Sequence, residues 1–375
     1  MFTIITKEHT LLMTDNKKTN VKLLAVDQFV TSNIVLPTEV FVKDKNFVGW
    51  GEMNDFPKYV DDLYMNVSTL HSIIDGITDY IVGEEINVNV TNFQERANSK
   101  GDTLEDIINW VANDLIKYNG FALNVIKNKL GTIAEIYYLD FKRIRVNKEK
   151  TKVYYSTDWD KSFGRVKYTE YDEFNSEEGK DKPSTIYYYS GTVNRVYPVS
   201  MWQASITACE TERKMNEYHL NNISNSFSSN YIINFNSGQP SDEIQEEIEM
   251  EVYDKFCGVE NSGRPMLSFN KDKEAETTVT KIDADSFIDK YNALANRTKQ
   301  EIFTSFRCSP ILFGIDFEKT GFNANEYAET FRLFNKTVIE PLQRKIVKVF
   351  DKIFDTKDAI EIEPFKINFD KEITA

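Results

Sequence analysis

The sequence predicts an α+β fold organised around long helices and one short loop. Three observations predict it. After Asp283, apolar residues Phe287, Tyr291, Leu294, Ala295, Ile302 and Phe306 recur on one face at a 3.6-residue period. A loop carrying Lys319, Thr320, Gly321 and Phe322 follows, and then a second stripe: Tyr327, Phe331, Phe334, Val338, Leu342, Ile346, Val349 and Ile353. Upstream, a helix of about Met201 to Phe227 is polar through its middle, Glu210 to Glu217, as a helix is when it bridges subunits or faces water.

The elements before that helix form a mixed α/β region. Short β-type runs, Asn33 to Leu36 and Val40 to Val42, precede Asp55-Phe56-Pro57, which opens a helix. Val60, Leu63, Tyr64, Val67 and Leu70, then Ile73, Ile74, Ile77 and Ile81, continue it to a C-capping Gly83. Asp102 or Thr103 caps the next helix, which buries Leu104, Ile107, Ile108, Val111, Leu115 and Ile116 and stops at Asn119-Gly120. From Phe121 to Tyr155 the period becomes two. Ala122, Asn124 and Ile126 form one strand face, and Ile133, Ile136, Tyr138, Ile144 and Val146 form others. Strands are also expected at Phe163 to Tyr171 and Ile186 to Tyr189, around an exposed charged loop at Asn175 to Lys182.

Between the polar helix and Asp283 lies an insert. It reads as a strand at Tyr231 to Ile233, an acidic helix at Glu243 to Phe256, and strands at Pro265 to Phe269 and Thr277 to Ile282. Ser309-Pro310 is expected to stop the helix after Asp283, because the residue before proline avoids helical geometry. Asn323 is a candidate N-cap for the following helix, with Glu326 closing a capping box. Pro341 removes a backbone donor inside that helix and should kink it. Ile360, Ile362, Phe365, Ile367 and Phe369 alternate as one or two edge strands.

Composition narrows the function. With 375 residues, 41% hydrophobic and 13% aromatic, the chain can bury a large core. A net charge of −14 disfavours wrapping duplex DNA but suits a surface that must not stick to it. Cys209, Cys257 and Cys308 are odd in number and widely spaced, which fits a reducing compartment better than a disulfide framework or a zinc site. Met1 to Met13 does not read as a signal peptide, and no run is long enough to span a bilayer.

No catalytic set emerges, and no catalytic, cofactor or metal residues are expected. Gly258 to Gly263 has phosphate-loop glycine spacing but runs into Arg264-Pro265, so it reads as a turn. His9, His71 and His219 form no ligand pair. The basic cluster Lys142, Arg143, Arg145, Lys148, Lys150 and Lys152 reads as a solvated hairpin, with a phosphate or subunit contact as the sharper alternative.

The ordered segments resemble the tailed-bacteriophage portal protein (head-to-tail connector) family. Asn54-Asp55-Phe56-Pro57 resembles that family's Asn-x-aromatic-Pro start of its first helix, and Leu70 to Gly83 the helix that follows. Tyr118-Asn119-Gly120-Phe121 is similar to its step from helix to sheet. Ile302 to Gly314 is similar to the run Ile-x-x-x-Phe-x-Val-Pro-Pro-x-Leu-Leu-Gly, with Cys308 and Ser309 for Val and Pro and Phe313 for the second Leu. Asn325 to Pro341 resembles the family's Asn-x-Glu…Phe…Ile-x-Pro helix.

The resemblance implies a portal-like α+β fold. Residues 1–200 would be a mixed α/β wing, 201–227 and 283–308 the stem helices, and 228–282 the clip. Residues 309–323 would be the tunnel loop, 324–355 the kinked wing helix and 356–375 the C-terminal strands, with little or no crown. It implies a non-enzymatic virion protein: a ring, typically of twelve copies, at one capsid vertex, assembled in the host cytoplasm, through which double-stranded DNA is packaged and ejected. Lys319, Thr320, Gly321, Phe322 and Asn323 would line the channel. Glu243, Glu246, Glu247, Glu249 and Glu251 would face the terminase large subunit and the head–tail adaptor, and the major capsid protein would surround the ring. Two rival readings are an intracellular α/β enzyme acting on nucleotides and a neck or baseplate scaffold without DNA contact.

Overall fold

The computed structural model describes residues 37–41, 45–159, 166–224, 232–235, 241, 243–248, 250, 266–269, 285–315 and 324–365. The described residues fall into two compact units, one from Asn221–Lys281 and one from Asn33–Leu220 with Ile282–Ala375.

In the larger unit, β1 (Glu39–Phe41) pairs antiparallel with β2 (Val48–Trp50). Two helices follow, α1 (Phe56–Asn66) and α2 (Ser68–Val82). The sequence pattern predicted one helix here. The chain breaks at Val67, whose φ of −111° and ψ of 104° are extended. The break turns Val67 itself into the core, where it is fully buried beside Leu63 and Leu70. α2 then ends at Gly83 as expected, at φ 73°. A Cβ there would lie 2.0 Å from the Glu363 carbonyl oxygen, so only glycine admits the strand that packs over it. That strand, β12 (Ile360–Glu363), pairs antiparallel with β3 (Glu85–Val88).

α3 (Leu104–Tyr118) begins with a reciprocal capping box between Thr103 and Asp106, settling the cap on Thr103. It ends at Asn119 in the left-handed region, φ 59°. β4 (Gly120–Lys127) is the centre of a sheet ordered β5–β4–β9, with β5 (Ile133–Leu139) and β9 (Ser184–Ser190) antiparallel on either side. The pattern grouped Ala122, Asn124 and Ile126 on one face. The opposite face, Phe121, Leu123 and Val125, is the fully buried one; of the first three, Ala122 is fully buried while Asn124 and Ile126 are half-buried. A second sheet is ordered β6 (Ile144–Val146), β7 (Lys152–Tyr155), β8 (Thr169–Asp172).

The basic hairpin of that sheet is not a solvated one. Arg145 is 1% exposed and lies over the Trp159 ring, 4.9 Å from its centroid. Its guanidinium donates to Asn54 Oδ1, to Asn54 O at 2.8 Å and to the carbonyls of Lys142 and Ile144 at 2.9 and 2.8 Å. Lys142 pairs with Asp61 at 2.7 Å, and Lys152 with Asp172. The cluster joins β6 and β7 to the start of α1. Asn54, at φ 62°, is held by accepting from the Trp50 amide at 3.0 Å, and Trp50 stacks on Tyr197 at 4.5 Å. Arg145→Met keeps the bulk but removes the guanidinium donor from three backbone carbonyls and from Asn54 Oδ1, which retains only the Trp50 amide. We expect a loss of about 3 kcal/mol or more of unfolding free energy, read from denaturant midpoints.

Asp114 on α3 is buried and accepts from Tyr138 Oη at 2.8 Å and from the Phe141 amide at 3.2 Å. Burial pushes its carboxyl up to about 7. The folded state therefore keeps a proton that the unfolded chain has already lost above about pH 4. Stability from this group falls as pH rises from about 4 to 7 and is level above that. Asp114→Asn keeps an acceptor without the charge. Its stability relative to the parent should rise between pH 4.5 and 7.5 in urea titrations; a constant difference would count against a buried neutral carboxyl.

Candidate stem, loop and insert site

The stem candidate is a pair of helices, α4 (Ile206–Ser224) and, after the insert, α6 (Asp285–Ser305). They run antiparallel. Ser205 Oγ meets Ser305 Oγ at 2.9 Å, Tyr291 Oη donates to the Met215 carbonyl at 3.4 Å, and His219 meets the Tyr291 ring edge-on at 4.5 Å. The base of the pair is buried. Trp202 stacks on Phe306 and donates to the Lys117 carbonyl at 3.2 Å, so the pair is seated on the C-terminal end of α3. Ile206, Cys209, Ile302, Phe303 and Phe306 complete this base. Burial pushes the Cys209 and Cys308 thiols up to about 12, which makes them inert packing groups.

Above the base, the expected buried stripe of α6 gives way. Leu294 is 47% exposed, and on α4 Leu220 is 66% exposed. The physical reason is that helical spacing alone does not bury a stripe: Ile302, Phe303 and Phe306 in the last turns of α6 meet the core, and at Leu294 no part of the larger unit lies over the helix. The wall between α4, α6 and the start of α2 holds a cleft of about 560 Å³ lined by Glu212, Asn216, His219, Asn296, Thr298 and Lys299, among others. Glu212 Oε1 accepts from Ser68 Oγ at 2.9 Å, Thr69 Oγ1 at 2.9 Å and the Thr69 amide at 3.3 Å. It thereby caps the N-terminus of α2, where a negative charge is favoured.

The stop of α6 is not made by Pro310. The helix ends at Ser305, and Arg307 turns into the left-handed region at φ 54°. Pro310 instead opens a 3-10 turn, Pro310–Phe313, whose fixed φ suits that position. The turn is pinned to α2. Tyr80 Oη donates to the Leu312 carbonyl at 3.2 Å, and the Phe313 ring lies against Gly76 and Phe303. A Cβ on Gly76 would stand 2.4 Å from Phe313 Cε1. The expected tunnel-loop residues Lys319, Thr320, Gly321, Phe322 and Asn323 lie outside the described residues, as does the Asn323 cap.

The chain resumes in α7 (Ala324–Phe334), passes through a π turn at Asn335–Ile339 and continues as α8 (Glu340–Phe354). This π turn directly precedes Pro341, where the sequence predicted a kink. The Glu340 amide reaches back to the Asn335 carbonyl, and the wider turn accommodates the proline ring that has no N–H to give. The predicted apolar stripe is buried at Phe331, Phe334, Val338, Leu342, Ile346, Val349 and Ile353. Gln343 Nε2 donates to the Ile81 carbonyl at 2.9 Å, fastening α8 to the end of α2.

The smaller unit, described by itself, has β10 (Ile232–Phe235) parallel to β11 (Met266–Phe269). Parallel neighbours need a crossover, and α5 (243–248) lies between them in sequence. Glu243, Glu246 and Glu247 are exposed on α5 at i, i+3, i+4 spacing; Glu249 and Glu251 lie outside the described residues. Among the described residues, no group of three His, Cys, Asp or Glu side chains could hold a metal ion, and no helix is long and apolar enough to cross a membrane.

A long antiparallel helix pair with an exposed upper half, seated on an α/β body and interrupted by a small βαβ unit, defines a portal-like architecture. The model of the phage portal protein family matches residues 88–371, and this chain belongs to that family of virion structural proteins. The match begins after the Asn54–Pro57 and Leu70–Gly83 segments. The fold is also similar to solved structures. One is a chain of the virion of a native gene transfer agent (GTA) particle, with 17% identity, TM-score 0.52 and 85% of each chain covered. A second is from the neck of the native GTA particle computed with C12 symmetry, with 16% identity, TM-score 0.51, and 84% of this chain and 85% of that one covered. A third is from the neck of the empty GTA particle computed with C6 symmetry, with 16% identity, TM-score 0.53 and 85% of each covered. No curated protein matches the sequence.

Gly76→Ala tests the anchoring of the loop. Alanine is the better helix former by about 1 kcal/mol, yet its methyl must displace the Phe313 ring. We expect a net loss of about 1–2 kcal/mol, and in the Phe313→Ala background Gly76→Ala should no longer destabilise, leaving the double variant at least as stable as Phe313→Ala alone. Thermal melts of the three variants provide the comparison.

Proposed function

We propose that this chain forms the ring at one vertex of a phage capsid. DNA would be packaged and ejected through it, and the terminase large subunit and then the head–tail adaptor would dock on it. The observation that carries this reading is the stem pair: its base is sealed into the subunit, while Leu220 and Leu294 higher up stay exposed. Helices of this kind are completed by copies standing side by side, and cyclic symmetry supplies such a neighbour to every copy. The family membership supports the same reading, and the similar GTA necks were computed with twelvefold and sixfold symmetry.

In this assignment the wing is 1–200 with the kinked helix 324–355 and the strands 356–375. The stem is 201–227 and 283–308, the clip 228–282 and the tunnel loop 309–323. Lys319, Thr320, Gly321, Phe322 and Asn323 face the channel, and twelve copies repeat them around its axis. A lysine at each tip offers phosphate contacts that salt weakens, while an acidic chain elsewhere lets duplex DNA slide. The major capsid protein surrounds the wing.

The acidic face of α5, Glu243, Glu246 and Glu247, is the docking surface assigned to the clip. Reversing the three to Lys should weaken binding of the packaging ATPase or adaptor at least tenfold and leave the ring intact; unchanged pull-down curves would remove the clip charges from docking.

Native mass measurement and negative-stain images of the purified chain test the ring itself. A closed ring with a central hole is expected, and a monomer at high concentration would end the proposal. A neck scaffold that never touches DNA would also form a ring. Deleting Phe317 to Phe322 separates the two: assembly should persist, and DNA packaging or retention should fail.

A further inference from the structure

Glu212 carries more charge than its own subunit uses. Oε1 is fully engaged in capping α2, but Oε2 is buried and has no hydrogen-bond partner among the described residues. The residue is 6% exposed, and it lines the cleft of about 560 Å³. A buried carboxylate oxygen without a donor costs free energy unless a cation or donor reaches it. Lys299 lines the same cleft and makes no ion pair with Glu212. The socket therefore presents a negative site at Glu212 and a separate positive one at Lys299.

The opposite side of α6 carries the matching pattern. Arg297 and Glu301 pair at 2.9 Å across one helical turn and are 77% and 52% exposed. They share that side with the exposed Leu294. We propose that the Arg297–Glu301 pair of a second copy of this chain fills the Glu212 socket, Arg297 of the neighbour meeting Glu212 and its Glu301 meeting Lys299. The inference rests on the ring reading above. A ring contact joins two different faces of the subunit, and here the socket and the charged pair lie on opposite faces of one helix. Height selects the pair as well. The contacts Ser205–Ser305 and Met215–Tyr291 put Glu212 level with residues close to Arg297. The other exposed pair on the described part of the stem, Lys214 with Glu217, lies about 3 and about 8 Å further from the base than Glu212. A rotation about a ring axis along the stem keeps height, so it carries Arg297 and Glu301 to the level of the socket; Lys214 is the nearest competing cation, and the cycle below tests it directly.

The test is a double-mutant cycle on the assembled full chain. Glu212→Gln retains an acceptor for Ser68 and Thr69 while removing the charge, and Arg297→Gln removes the proposed partner. Ring dissociation on dilution is followed by native mass spectrometry, and subunit folding by thermal melts of the dissociated protein. Each single variant should raise the concentration of half-dissociation about tenfold, and the double variant should be no weaker than either single one. Arg297→Gln should leave the melt of the dissociated subunit unchanged. Additive effects in the double variant, or coupling of Glu212 to Lys214→Gln instead, would overturn the assignment of Arg297 and leave the ring reading standing. A parent chain that forms no ring would overturn both.

Discussion

The larger unit depends on the buried apolar faces of α2, which leave only a narrow side, Ser68, Ser72 and Asp79, to water. Leu70, Ile73, Ile74, Ile77 and Ile81 are fully buried, so every neighbour of this helix is placed against a rigid rod. Four attachments then run along it in order. Glu212 of the stem caps its N-terminus, and Phe313 of the turn before the loop sits in the gap left by Gly76. Gln343 of α8 donates to the Ile81 carbonyl, and Glu363 of the last strand closes over Gly83. Segments more than a hundred residues apart in sequence are thus registered on one helix fifteen residues long. A core at crystal-like packing density transmits a displacement at one attachment to the others.

That arrangement holds the lower part of the α4–α6 pair tightly and leaves apolar residues exposed higher up. The stem base shares the core with Trp202, Cys209, Ile302 and Phe306. Further up, the same helices carry exposed leucines and a carboxylate oxygen without a partner. Apolar and buried polar groups of this kind raise the free energy of the lone subunit and are relieved by association. The body is therefore held by its own core, and the upper part of the pair is the surface that the proposed ring would cover.

The π turn before Pro341 belongs to the same division. Proline in a helix removes one backbone bond and crowds the preceding turn. Here the cost is absorbed within five residues, and the apolar stripe runs through it from Phe331 to Ile353 without losing its buried face.

Much of this was legible in the sequence. Periodicity identified the helices of the body, the period-two runs identified β4 to β7, and Thr103, Asn119 and Gly83 marked caps through their backbone chemistry. These are local properties, fixed by a residue and its neighbours within one turn. The sequence did not disclose the break at Val67, the burial of Arg145 against Trp159 and Asn54, or the stop of α6 at Arg307. Nor did it show that Glu212 spends one oxygen on α2 and leaves the other in a cleft. Each of those is decided by groups distant in the chain. A charged residue has the same pattern whether it meets water, a carbonyl or a second subunit, and only the folded chain determines which of these lies beside it.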